Sequence, residues 1–377
     1  MIHATLALFY YLYFSFVGVL IIFFPKVLSL VGYSQIDVGI LLASVPLVRF
    51  IAPFVVGGRI PLTRTIFLGA LGSVAVASMA LYGTLEHFWW LLGVLVLLGF
   101  GMSLVLPYVE IMALEHVSRA SYGKVRLFGS VGFIVVALLL ESRLEEVTRA
   151  IDFFVAIAVA MLLVGVAMRN TAHAKSATAT THGRFSMRPF GYLWASLFMM
   201  QLAFMPFYSF FTIYETHLGV SLQNTVYLWS AGVLFEIVML WFQGPLLKRY
   251  KAVDLLLFST FITAVRWAIV YAFGESVTML YVAQSLHAFS FALYHSVAIR
   301  LLYELYVERH QAQQFFSGIA YGLGAFVGSI VAGVIYEYYP SMLFLFASIA
   351  TLVSTLLLYR ERKTICAAMG IISTKKG

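Results

Sequence analysis

Continuous apolar runs, one after another and each about as long as a bilayer is thick, leave this chain few ways to fold. They lie at roughly 4–24, 36–57, 65–83, 88–112, 122–141, 150–168, 189–213, 223–247, 253–273, 276–300, 312–337 and 340–359, bounded by charges, Pro and Gly. A bilayer core takes about 20 apolar residues per helix, because backbone groups in lipid must be satisfied within the segment. Transmembrane strands would alternate apolar and polar residues, and these runs do not. The expected fold class is an all-α membrane protein of twelve transmembrane helices. Composition agrees: 62% of the 377 residues are hydrophobic and 11% are charged, against about 25% charged in an ordinary soluble domain. Disorder, nucleic-acid binding and a disulfide-stapled secreted fold are set aside.

The net charge of +8 acquires meaning once it is placed. With the N-terminus in the cytoplasm, 19 of the 24 Lys and Arg fall in inner loops and the tail, and three (Lys26, Arg143, Arg149) fall outside. This positive-inside bias puts both termini in the cytoplasm of a multi-pass protein of the bacterial inner membrane. The first run is too long for a signal h-region and serves as its own insertion signal. The longest inner loop lies near the midpoint, giving an N-terminal six-helix bundle (1–170), a linker (171–188) and a C-terminal bundle with a short tail (189–377). Gly58-Arg59 and Gly244-Pro245 lie 186 residues apart, an echo expected of two related halves. Duplicated halves with a central site describe a secondary transporter.

Enzyme chemistry has no foothold. There is no G-x-x-x-x-G-K-[ST] loop, no H-E-x-x-H, no Gly-x-Ser-x-Gly turn and no pair of midspan acids. The single cysteine, Cys366, cannot form an internal disulfide, and no Cys/His spacing suits a metal. No cofactor is expected beyond the proton as coupling ion.

An ionisable group at mid-bilayer costs about 2.5–3.5 kcal/mol on insertion scales, so those retained are candidates for function. They are Arg49 in the second run, Glu110 in the fourth, Glu236 in the eighth and Arg266 in the ninth, with Arg126 in the first turns of the fifth. Glu236 reads as a proton carrier, because burial and an alternating Arg contact drive a carboxyl in opposite directions; the competing reading is a static interhelical ion pair. Arg266 would be its switching partner or a ligand of a substrate carboxylate. Arg49 and Glu110 divide evenly between binding and structural pairing. In the tenth run, Gln284, His287 and His295 lie on one helical stripe and are expected to line a cavity. Gln201 and Tyr208 form a weaker stripe with Phe204 in the seventh run, and Tyr10 and Tyr13 lie in the first. With 33 Phe, 22 Tyr and 6 Trp, most aromatics must face lipid. The glycines of the fifth run (Gly123, Gly129, Gly132) and the eleventh (Gly318, Gly322, Gly324, Gly328) are expected to admit close helix packing.

The segment Tyr122-Gly-Lys-Val-Arg-Leu-Phe-Gly-Ser-Val-Gly132, preceded by Glu110, resembles the major facilitator superfamily. Within it the chain is similar to the oligosaccharide:proton symporter and phenylpropionate-permease branch. That resemblance implies that Glu110 and Arg126 hold substrate. It further implies that Arg266 in Ala264-Val-Arg-Trp267 and His287 in Ser285-Leu-His-Ala-Phe289 belong to a proton-coupling network with Glu236. The chain departs from the pattern at Ser290, where an acid is usual, in the degenerate Gly58-Arg59, and at Lys248, where an Asp is usual.

The candidate interior holds Arg49, Arg126 and Arg266 against Glu110 and Glu236. A positive surplus suits an anion, and arginine grips a carboxylate bidentately. The chain has two Asn, Asn170 and Asn224, neither within a membrane core, which leaves few neutral groups for a sugar. The expected function is proton-coupled symport of a small aromatic or apolar-tailed carboxylate by a functional monomer. Sugar or nucleoside symport, proton-driven efflux, a non-transporting sensor and an intramembrane enzyme are the alternatives.

Overall fold

A computed structural model describes residues 2–56, 63–117, 119–141, 147–168 and 185–374. Gly58-Arg59, Arg143 and the expected linker as far as residue 184 lie outside the described residues. All regular structure among the described residues is helical. The successive runs are α1 (Ile2–Val31), α2 (Gln35–Val56), α3 (Arg64–Thr84), α4 (Phe88–His116), α5 (Arg119–Glu141) and α6 (Val147–Ala167). After them come α7 (Arg188–His217), α8 (Leu222–Phe242), α9 (Ala252–Phe273), α10 (277–305), α11 (Gln311–Tyr338) and α12 (Leu343–Thr374). Ten helices among the described residues are long and apolar enough to cross a membrane.

Several runs end or bend differently from their sequence expectation, three of them as follows. The eighth stops at Phe242 rather than near 247, and a short helix, Gly244–Arg249, follows with Pro245 in its first turn. Proline lacks the amide proton that would continue the ladder. In α10 a wide π-helical turn, Ala288–Leu293, separates helical stretches Val277–Ser285 and Tyr294–Leu305. The last helix runs on to Thr374, well past the expected end near 359, since no proline interrupts it. It is tied back at its charged stretch: Arg362 pairs with Asp254 at 2.8 Å, Glu361 accepts from the Tyr192 amide at 2.8 Å, and Arg360 lies over the Tyr192 ring.

The helices group into two compact units, Met1–Ala179 with Tyr208–Ser230, and Thr180–Phe207 with Ala231–Gly377. In the first, α1 packs on α5 and α6, and α3 packs on α4 and α6. In the second, α7 packs on α11 and α12, and α9 packs on α10 and α12. The second set of partners is the first moved on by six helices.

The two seams are made alike. On α5, a Cβ added to Gly132 would enter the shell of the Tyr11 carbonyl oxygen on α1, and one on Gly129 would strike the Phe14 ring. On α11, a Cβ on Gly328 would sit 2.6 Å from the Leu202 carbonyl oxygen of α7, and one on Gly324 would sit 2.8 Å from that of Phe198. Lipid supplies no hydrophobic drive between helices, so backbone-to-backbone approach at small residues provides the packing. Gly123 has open space around it and takes no part.

Candidate functional site

The second unit buries a connected polar group. Arg266 projects from α9 and is fully buried, with its guanidinium 4.5 Å from the Phe207 ring centre and 4.3 Å from that of Trp267. Nη1 donates to His287 Nδ1 at 2.8 Å and to Ser290 Oγ at 3.1 Å, while Nη2 donates to Gln284 Oε1 at 3.0 Å. Arginine can only donate, so His287 Nδ1 must accept and the ring proton sits on Nε2. That nitrogen lies 3.8 Å from Glu236 Oε2 on α8. His287 thus hydrogen-bonds Arg266 on one side and faces Glu236 on the other, at a distance longer than a hydrogen bond.

Local sequence explains how these groups meet. Gly232 precedes Glu236 by one turn on α8 and therefore shares its face. A Cβ at Gly232 would sit 2.8 Å from Gln284 Oε1, so the glycine makes room for the α10 side chains at the level of the carboxylate. His287 immediately precedes the wide turn of α10, and Ser290 lies inside it. Such turns replace regular helix bonding and recur at functional positions. Ser290, which stands where the resemblance implies an acid, accepts from Arg266.

Other candidates lie around this group. His287 stacks on Phe291, with ring centres 5.3 Å apart, and Phe291 stacks in turn on His295 at 6.4 Å. His295 Nδ1 bonds the Tyr321 hydroxyl on α11 at 2.7 Å. Gln201 on α7 is buried, and its Nε2 has no hydrogen-bond partner among the described residues. Phe204, one turn on, packs against Trp267. Tyr208 lies in a π-helical turn, Pro206–Phe210, and stacks on Trp229 in the first unit.

The first unit carries a looser cluster. Arg126 Nε on α5 is 3.6 Å from Glu110 Oε1 on α4, with the two side chains 50% and 24% exposed. The Tyr122 hydroxyl, one turn before Arg126, donates to Glu110 Oε2. Pro107 lies inside α4 one turn before Glu110. Tyr10, buried on α1, lies in the electrostatic field of Glu110, Tyr122 and Arg126, and buried Tyr13 in that of Arg49 and Glu110. Arg49 itself is exposed on α2. The Arg126 and Arg49 guanidiniums have the exposure an exchangeable anion would require.

Sequence reasoning picked Arg266, His287 and Glu236 as an expected network and placed Gln284 on the stripe of His287. It passed over Tyr122, although that residue lies in the resemblance-bearing segment one turn from Arg126. It passed over Phe207, whose apolar ring carries no signal by itself, and Glu215, just beyond the expected end of the seventh run. No group of three His, Cys, Asp or Glu able to hold a metal occurs among the described residues.

The MFS_1-like family profile matches residues 3–347. The "Probable 3-phenylpropionic acid transporter" of Escherichia coli K12 is 28% identical over 352 residues, 88% of this chain and 91% of that one. The maltose permease of Geobacillus stearothermophilus is 27% identical over 275 residues, covering 70% and 69%. Among solved structures, the nucleoside transporter NupG superposes with a TM-score of 0.77 at 14% identity, covering 96% of this chain and 98% of that one. The inward-open xylose transporter XylE from E. coli gives 0.71 at 11% identity, covering 95% of each. The last two similarities concern the fold. With the profile spanning nearly all the helices and the buried charges set within them, the chain belongs to the MFS_1-like family and is an integral multi-pass membrane transporter of a small molecule, not an enzyme.

Proposed function

We propose that this transporter is a proton-coupled symporter of a small aromatic or apolar-tailed carboxylate, working by alternating access in the bacterial inner membrane. In this reading it has twelve spans, both termini in the cytoplasm, and acts as a monomer. The observation that carries it is the group formed by Arg266, His287 and Glu236, in which an obligate donor bonds a histidine ring whose other nitrogen lies 3.8 Å from a partly buried carboxylate. A carboxylate there answers the cationic side of the network; a proton on Glu236 removes that answer and leaves Arg266 free to change partners. Coupling follows if substrate and proton together, but neither alone, neutralise the site enough to reorient.

The substrate class rests on the cationic surplus of Arg49, Arg126 and Arg266, on the aromatic rings around Arg266, and on the relative named as a 3-phenylpropionic acid transporter. A sugar or nucleoside is the second reading, favoured by the maltose permease relative, and efflux is the same machinery run by antiport. A thermal-shift screen of the purified protein against aromatic acids, sugars and nucleosides chooses among the substrate classes. Uptake of the hit under an imposed pH gradient then gives the direction. Coupling is tested in proteoliposomes: Glu236→Gln should lose proton-driven accumulation while keeping counterflow. Normal accumulation by that variant would end this assignment of the proton.

A further inference from the structure

Glu215, three residues from the end of α7, has no solvent exposure, and neither carboxyl oxygen has a hydrogen-bond partner among the described residues. An unpaired carboxylate in an apolar setting costs more than its protonation does, and such groups neutralise instead. The surroundings offer no charged remedy. Lys26 of α1, packed on the same end of α7, donates its ammonium to the neighbouring Thr216 Oγ1 at 3.0 Å. That ammonium makes no hydrogen bond to either Glu215 oxygen. His217 is the other titratable group close in the chain. Trp229 of α8 contributes only an indole N–H, which donates to Thr212 at 3.1 Å.

We propose that Glu215 is a proton-binding site distinct from the Arg266 network, and that its bound proton lets the end of α7 pack against α1. The site lies in the stretch Tyr208–Ser230, which groups with the first unit although its neighbours in sequence group with the second. Loss of the proton would leave a buried charge, relieved only by water entry or by turning of the helix end toward Lys26. The inference does not depend on Glu236 being the coupling carboxyl.

The test uses full-length protein in nanodiscs and the infrared carbonyl stretch of protonated carboxylic acids at neutral pH. A band that shifts in heavy water, disappears in Glu215→Gln and persists in Glu236→Gln is the expected result. A band unaltered by Glu215→Gln, or no such band in the wild type, overturns the proposal. Thermal melting supplies a second measurement. A neutral carboxyl without partners makes no bond for either Glu215→Gln or Glu215→Leu to lose, so both should fold and melt close to the wild type. Failure of both to fold would show a paired, charged carboxylate and overturn the proposal.

Discussion

The two units hold their charges in opposite ways. In the second, Arg266 is fully buried, bonded to three side chains from α10 and flanked by aromatic rings; in the first, Arg126 is half exposed and meets Glu110 at 3.6 Å. Hydrogen bonds to a buried charge are individually strong, whereas an exposed pair is screened and contributes about 0–1 kcal/mol. A buried, bonded cluster keeps its geometry and responds to protonation. A loose, wet one can exchange its partner for a ligand without leaving a buried group unsatisfied. On this comparison, the proposed coupling role would fall to the second unit and the proposed substrate exchange to the first.

Arg266→Ala is the most severe way to test it. The change strands His287, Ser290 and Gln284 in the interior, and at about 1.5–3 kcal/mol per charged hydrogen bond it should abolish transport and sharply lower the melting temperature. Unaltered melting would mean that the network does not organise the second unit. Arg266→Lys keeps the charge without the planar fork; it should fold, and its deficit should appear in pH-driven uptake rather than in melting.

The glycine seams come next. Gly132→Ala and Gly328→Ala should each cost about 1–3 kcal/mol, since the opposing atoms are backbone carbonyls with little room to withdraw. If one is tolerated and the other is not, the likeness of the α1–α5 and α7–α11 packing is superficial.

Arg126→Gln should leave melting within about 1 kcal/mol of the wild type yet weaken binding of the screened ligand about tenfold, near 1.4 kcal/mol, measured by titration. A large stability loss without an affinity change would move Arg126 from the binding to the structural column. Tyr122→Phe removes one hydroxyl from Glu110 and should have the smallest effect, about 1 kcal/mol, read from the same titration.

The helices themselves were legible because apolar run length is a local property. Where the expectation failed, the cause was also local but finer: Pro245 closing α8, the wide turn in α10, and a breaker-free tail that continues α12. The candidate side chains were legible too, since charges stand out in apolar runs, and the stripe of Gln284 and His287 placed two members of the buried cluster. Their contacts were not. Arg266 and its three partners are separated by 18 to 24 residues in the chain and meet through the packing of α9 on α10. Gly232 has a role there only because Gln284 stands across from it. Glu215 lies just past the expected end of the seventh run, and only its burial sets it apart.

The sequence by itself determined that this is a helical multi-pass membrane protein, because the bilayer penalises any backbone that is not internally bonded and composition reports that penalty directly; its likeness to the major facilitator superfamily rested on the resemblance of particular segments. It also supplied the short roster of ionisable residues in which the chemistry must lie. Only the tertiary structure decided which of them touch and which are dry, and it added Glu215, which the roster lacked. Hydrogen bonds form or fail over a few tenths of an ångström, and that distance is set by how side chains from different helices pack rather than by the order of residues along any one of them.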